Sequence, residues 1–295
     1  MAKSWVHLVA ESPSWPALLS VIDAPPEELW ARGRLELLAA EPRVAIVGTR
    51  APTPYGAAQA RRFARTLVER DVVVVSGLAR GIDANAHEAA LDAGGRTIAV
   101  LGSGVDRPWP DGPLTERMIA EGLLLSEHAP GEPPKKHHFP LRNRLISGLC
   151  RAVVVVEAAN ASGSLITARW AADQGRTVCV LPGRVDHPMA RGCHRLIREG
   201  AALVEDPEEV LAEIGIATHG VRSDSSTRAR DAPFDLGSRE PISRELLDAL
   251  RGETLTPDDL VGRTRHALTE VLTALVQLEL SGFVVRGAGS LYRLT

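Results

Sequence analysis

The chain predicts an α/β protein: a Rossmann-like, mostly parallel sheet with helices on both faces, a short helical N-terminal preface and a C-terminal winged-helix domain. Three observations carry that expectation. From Val44 to Gly183, short β-branched runs alternate with amphipathic stretches, the pattern of strands buried on both faces of a sheet. Most of those runs end in glycine or a small polar residue. After Ile216 the composition turns polar, and three helical patterns and two short strands then close the chain.

Taken in order, residues 1–40 contain Trp5, Trp15, Trp30 and the turn-like pair Pro25-Pro26, and read as a small helical segment. Residues 41–215 hold the alternation: VAIVG then GAAQARRFARTLVER, VVVVSG then IDANAHEAALDAG, TIAVLGSG, LLLSE, AVVVVEA then SLITARWAADQG, and TVCVLPG. In open α/β sheets ligands sit at the carboxyl ends of the strands, so the loops beginning at Gly48, Gly77, Gly102 and Ser162 are expected along one edge. Residues 216–239, within THGVRSDSSTRARDAPFDLGSRE, are charge-balanced and poor in large apolar side chains, the composition of a linker. Residues 240–295 run through PISRELLDALR, TPDDLVG and HALTEVLTALVQLELSG to FVVRGAGSLYRLT, three helices and a hairpin. A helical dimerisation tail is the competing reading of that end. Its third helix has Glu270 and Glu279 and little positive charge, which favours a protein contact over duplex recognition.

At 295 residues with 44% hydrophobic side chains the chain can build a sizeable core. A net charge of -3 argues against coating nucleic acid along the whole surface, so any such binding comes from a patch. Three cysteines, Cys150, Cys179 and Cys193, suit reduced thiols in a cytoplasm. Cys193 beside His194 is too few ligands for zinc, and no metal or cofactor is expected. No apolar run approaches the roughly 20 residues that span a bilayer.

The patch is visible in PPKKHHFPLRNRLISGLCR. Between Glu132 and Glu157 no acidic residue occurs, while Lys135, Lys136, Arg142, Arg144 and Arg151 surround one ring, Phe139. Phosphates need several spaced cations, and an unpaired base offers a face that Phe139 can cover, so the run points to single-stranded nucleic acid. Pro140 suits a first helical turn, with Leu141, Leu145, Ile146 and Leu149 as the apolar stripe; Arg142, Asn143 and Arg144 then lie near a helix N-terminus, where anions bind. The alternative is a solvated basic face with Phe139 in the core.

Two further loops add cations. Gly48-Thr49-Arg50 places a flexible residue, a hydroxyl and a guanidinium at a strand end, with pairing of Arg50 to a carboxylate an equal rival. SGLARGID repeats the arrangement with Ser76, Gly77, Arg80 and Gly81, Asp83 capping the helix that follows. Ser162 and Gly163 in NASGSLITA open a further helix. No Gly-x-Gly-x-x-Gly follows a strand and no Gly-x-x-x-x-Gly-Lys-Ser/Thr occurs, so dinucleotide and P-loop signatures are missing. Asp83, His87, Glu157, Asp173, Asp186 and His187 show no spacing that pairs a nucleophile with a base, and the chain is not expected to be an enzyme.

Seven ordered segments, AIVGTRAPTPYG, SGLARGIDANAH, TIAVLGSGVD, HHFPLRNRLISGL, VVVVEAANASGSLITARWA, GRTVCVLPG and GCHRLIREGA, closely resemble the bacterial DNA-processing protein A (DprA or Smf) family over about residues 43 to 205. The resemblance implies a cytoplasmic protein of natural transformation and recombination. Such a protein binds and protects incoming single-stranded DNA, helps load the recombinase RecA onto it, and forms a homodimer through its central domain. It associates DNA contacts with Gly48, Thr49 and Arg50, with Gly77 to Gly81, and with Lys136 and Phe139. The chain departs from the family after the Gly-Ser-Gly-x-Asp motif, where Trp109 and then Gly112-Pro113 replace a tyrosine and an asparagine. The alternative is a nucleotide-cleaving enzyme similar to the lysine-decarboxylase-like phosphoribohydrolases, with Glu157 or Asp83 acting near a phosphate loop. Leu181-Pro182-Gly183-Arg184 stands where the Pro-Gly-Gly-x-Gly-Thr run of that family is expected.

Overall fold

The computed structural model describes residues 5–216, 241–280, 283–287 and 291–294. The chain divides into two compact units, Met1–Gly220 and Val221–Thr295. The expected linker over 216–239 lies outside the described residues apart from Ile216.

The first unit is built on a nine-stranded sheet. Its strands are β1 (Val6–Val9), β2 (Glu28–Gly33), β3 (Arg43–Val47), β4 (Val73–Ser76), β5 (Thr97–Val100), β6 (Leu123–Ser126), β7 (Ala152–Val155), β8 (Thr177–Val180) and β9 (Ala202–Leu203). Across the sheet the order is β1-β2-β6-β5-β4-β3-β7-β8-β9, and every pairing from β6 to β9 is parallel. The helices α1 (Pro54–Glu69), α2 (Ile82–Asp92), α3 (Pro113–Glu121), α4 (His138–Gly148), α5 (Ser164–Asp173), α6 (Arg191–Arg198) and α7 (Pro207–Glu213) fill the crossovers and the C-terminal end of the unit.

Alternation along each strand divides the core between the two faces. Val44, Ile46, Val74, Val154 and Val156 meet Phe63, Ala64 and Leu67 of α1 and Ala86 and Ala90 of α2 on one side. Ala45, Val47, Val75, Val100, Val153 and Val155 meet Leu145, Ile146 and Leu149 at α4 and Leu165 of α5 on the other. The helix α1 starts where it does because the Thr53 hydroxyl accepts from the Gly56 N–H at 3.0 Å and Pro54 occupies the first turn.

The expected helical preface is corrected. Residues 1–40 supply β1 and β2 and two short 3-10 turns, Ala17–Val21 and Leu35–Leu38, and β2 pairs antiparallel with β6 as Trp30↔Ser126 through Gly33↔Leu123. These residues extend the sheet of the first unit. Leu8, Leu29 and Ala31 are buried in its core, so strand pairing satisfies backbone groups that the proline-rich stretches between them leave without a helix.

The second unit contains α8 (Pro241–Ala249), α9 (Pro257–Thr264), α10 (Leu268–Leu280) and the antiparallel pair β10 (Val284–Arg286) and β11 (Tyr292–Leu294), the expected winged helix. Thr256 and Asp259 form a reciprocal capping box at α9. Leu246, Leu260, Val271, Leu275 and Leu278 close its core.

One buried arginine ties together segments at the amino end of β3. Arg43, at the start of β3, donates through Nε to Leu149 O at 2.7 Å and through Nη1 to Leu38 O at 2.6 Å, and Nη2 meets Glu41 Oε1 at 2.5 Å. Replacement orphans these buried carbonyls, so Arg43→Met is expected to cost about 3 kcal/mol of stability. A urea titration showing a lower midpoint at unchanged slope checks it.

Candidate nucleic-acid interface

The chain runs outward from β3 through β4, β5 and β6 to one side, then restarts beside β3 with β7 and continues to β8 and β9. The crevice between β3 and β7 is therefore a topological switch point, the usual ligand position in such sheets. Because these strands are parallel, the loops after β3, β4, β5, β6, β7 and β8 all emerge on one rim.

The loops after β3 and β4 interlock. Thr49 N–H donates to Glu157 O at 2.7 Å, and Ile82 N–H donates to Thr49 O at 3.1 Å. Gly81 has φ +88°, and a Cβ there would strike the backbone of Thr49 and Arg50, so the site tolerates only glycine. Gly48 and Thr49 are half-buried; Arg50 and Arg80 are exposed, each without a hydrogen-bond or carboxylate partner among the described residues. The rival expectation that Arg50 pairs with a carboxylate is thus not what the structure holds.

Lys136 is exposed on the loop after β6, also without a partner among the described residues, whereas its neighbour Lys135 pairs with Glu132. Phe139 is half-buried in the first turn of α4, its ring against Gly102 at the end of β5, where an added Cβ would lie 3.1 Å from Cδ1. On the β7 side, Ser162 is half-buried with its hydroxyl 2.7 Å from that of Ser164, Gly163 is exposed beside open space, and Asn143 Nδ2 donates to Gly163 O at 3.4 Å. The structure therefore gathers Gly48, Thr49, Arg50, Arg80, Gly81, Lys136, Phe139, Asn143, Ser162 and Gly163 at this rim.

Four expected site residues are placed otherwise. Ser76 is fully buried, its hydroxyl donating to Ile46 O at 2.6 Å. Gly77 is buried beneath the Arg142 guanidinium, which a side chain at residue 77 would strike at 2.6 Å. Arg142 itself is buried, donating through Nη1 to Gly77 O at 2.8 Å and to Val100 O. Burial lowers its pKa to about 10, with Asp83 opposing and Arg50 reinforcing the shift, so it stays charged at neutral pH and senses the positive field of Arg50. Arg144 is clasped by Glu127 in a two-pronged pair at 2.7 and 2.5 Å.

The acidic and imidazole groups are equally committed. Asp83 accepts from Gly77 N–H at 3.1 Å and Ala79 N–H at 3.4 Å; burial raises its pKa and Arg142 opposes that rise. The Glu157 carboxylate accepts from Thr53 N–H at 2.9 Å and Thr53 Oγ1–H at 2.5 Å, filling the space that Gly56 leaves at the start of α1. A helix N-terminus at a switch point is where related folds seat a phosphate; here an internal carboxylate occupies it. Asp186 pairs with Arg184, and His187 Nδ1 accepts from Met189 N–H at 3.3 Å. His138, missed as a fixture from sequence, is buried with Nδ1 3.1 Å from Gly102 O and its ring stacked on His128 at 3.9 Å. Nothing in the spacing of those two histidines signals the stack.

The DNA recombination-mediator protein A family model matches residues 6–215, and the DprA winged helix domain model matches residues 230–290. Protein Smf of Escherichia coli is 40% identical over 293 residues, covering 98% of this chain and 77% of that protein. The X-ray structure of DNA processing protein A from Streptococcus pneumoniae is similar with TM-score 0.69 and 44% identity over 74% of this chain and 76% of that one. A Helicobacter pylori structure, described as giving insight into the unique single-stranded DNA binding mode of DNA processing protein A, is similar with TM-score 0.65 and 31% identity, covering 72% of this chain and 96% of that chain.

Two expectations separate the fixtures from the rim. Arg142→Leu leaves Asp83 and two carbonyls uncompensated and is expected to cost about 3 to 5 kcal/mol, whereas Arg50→Ala stays within about 0.5 kcal/mol of wild type in the same urea titration. His87 is buried with Nδ1 2.7 Å from Thr97 Oγ1; because that hydroxyl donates to Val74 O, Nδ1 carries the imidazole proton. Burial holds the His87 pKa down to about 3. Between the ordinary value near 6.5 and that folded value the unfolded chain binds the extra proton, so stability is lost as the pH is lowered, by up to about 1.4 kcal/mol per pH unit. His87→Gln is expected to flatten this part of the decline, read from urea midpoints at about pH 7 and pH 4.5.

Proposed function

Because the chain belongs to the DNA recombination-mediator protein A family, we propose that it binds single-stranded DNA along the rim formed by the loops after β3 to β7, with Arg50, Arg80 and Lys136 on phosphates and Phe139 stacked on a base. The observation that carries this is the convergence of Arg50, Arg80 and Lys136, exposed and without a carboxylate partner among the described residues, with the half-buried ring of Phe139 on the rim at the carboxyl ends of the parallel strands. Gly48, Thr49, Gly81, Asn143, Ser162 and Gly163 supply small side chains and polar groups between the cations, which lets a backbone approach closely.

In this reading the protein acts in the cytoplasm during natural transformation, protects incoming strands and helps load the recombinase RecA as a homodimer. Among the described residues no helix is long and apolar enough to cross a membrane. The winged helix (residues 240–295) makes a protein contact: α10 contains no Lys or Arg, and exposes Leu268, Leu272 and Val276 beside Glu270 and Glu279. The alternative of a nucleotide-cleaving enzyme is disfavoured because Glu157, its candidate acid, is tied to Thr53 at the position a nucleotide phosphate needs.

The test is a titration of labelled oligo-dT at two salt concentrations. Arg50→Ala is expected to reduce the salt slope by about 0.7, and Phe139→Ala to cost about 1 to 3 kcal/mol of binding. Duplex competitor should displace the oligomer less well than unlabelled oligo-dT does. Wild-type binding by both variants, or preference for duplex, would overturn the assignment.

A further inference from the structure

Trp109 is 57% exposed, while Trp30 is buried and Trp5, Trp15 and Trp170 are at least partly covered. An indole is among the largest apolar surfaces a protein can leave in water, and it gains most where it can cover another flat apolar face. Exposure alone decides nothing, since Leu141 at 52% and Val185 at 87% are exposed too. What sets Trp109 apart is its mount.

The loop after β5 that carries Trp109 is stitched on both sides of the ring. Before it, Ser103 Oγ donates to Arg107 O at 2.7 Å and Arg107 N–H donates to Gly104 O at 2.9 Å. After it, Thr115 Oγ1 donates to Pro110 O at 2.8 Å. The loop is also tied to the one after β6 that bears Lys136: Gly131 N–H donates to Asp106 Oδ1 at 2.8 Å, and Gly104 N–H donates to Glu132 O at 2.9 Å. The same loop begins at Gly102, against which the Phe139 ring rests. An aromatic side chain whose backbone is already fixed loses little entropy on meeting a partner, which is the economy of a stacking platform.

We propose that Trp109 is a second base-stacking residue, extending the nucleic-acid track beyond Phe139 at the end of β5 nearest the Lys136 loop. The ligand it takes is an unpaired nucleobase, read by its face and not by its edges, so it adds affinity without sequence preference. This rests on the single-stranded DNA reading above.

The experiment compares wild type, Trp109→Ala and Trp109→Phe against two oligomers of equal charge, oligo-dT and an abasic strand of the same length. Trp109→Ala is expected to bind oligo-dT about 5- to 100-fold more weakly, Trp109→Phe to keep most of the affinity, and neither change to alter binding of the abasic strand. Indole fluorescence should be quenched by oligo-dT in wild type and much less in Trp109→Phe. Unchanged oligo-dT affinity in Trp109→Ala while Arg50→Ala is impaired would overturn this inference and leave the binding rim standing. An equal loss on the abasic strand would also overturn it, by showing a charge or folding effect. Failure of wild type to bind oligo-dT would overturn both.

Discussion

The guanidinium of Arg142 is buried where the carboxyl ends of β4 and β5 meet the first turns of α4, and it donates to the carbonyls of Gly77 and Val100. Removing a charge from water costs several kcal/mol, and here two carbonyl dipoles and the nearby Asp83 offset that cost. The consequence is positional. Phe139 lies one turn before Arg142 on the same helix, and Arg80 lies on the loop that begins at Gly77, so one buried cation sets the ring and the exposed guanidinium in a common frame. The bond from His138 to Gly102 O fixes the helix at a second point. Rigid placement matters because flexible cations must be ordered at the moment of binding, and that cost is subtracted from affinity.

The same edge explains why an extended anion suits it better than a single nucleotide. In a Rossmann-like sheet the switch-point helix offers free N–H groups to one phosphate. Here Glu157 has taken the Thr53 donors, and Gly56 leaves room for its carboxylate. A second negative charge in that crevice would meet a fixed one. The remaining donors are spread over successive loops, about 4.8 Å apart for each strand crossed, a layout that fits repeated phosphates along a chain.

Much of this was legible in the sequence, and what failed did so for local reasons. Continuous apolar runs, most ending in glycine or a small polar residue, marked β3, β4, β5, β7 and β8 because a strand covered on both faces has no polar alternation to obscure it. The preface misled because Val6–Val9 is a short strand with only Leu8 buried, and its partner β2 begins at Glu28, beyond a proline-bearing segment that includes a 3-10 turn. On α4 the expected apolar stripe holds at Leu145, Ile146 and Leu149, which are buried, and fails at its first member: Leu141 faces water, and His138 and Arg142 turn inward beside the stripe. A polar residue on an inward phase looks like a binding residue until the carbonyls that receive it are known. Arg144 has the same origin: its partner Glu127 lies on another loop, a pairing that only the fold brings about.

Net charge by itself says little about the rim. With a formal charge of -3 the chain is mildly acidic, yet what a polyanion meets is the local balance within about a Debye length. On the flanks of the first unit Arg34, Arg61, Arg62, Arg70 and Arg96 each stand against a carboxylate, which contributes little stability but cancels their field. At the rim the carboxylates are turned elsewhere: Asp83 towards backbone N–H groups and Glu157 towards Thr53. Arg50, Arg80 and Lys136 have no carboxylate partner among the described residues, while Asp83 and Glu157 on the neighbouring loops are already engaged. A positive edge can thus arise in an acidic protein by directing carboxylates inward, with no excess of basic residues required.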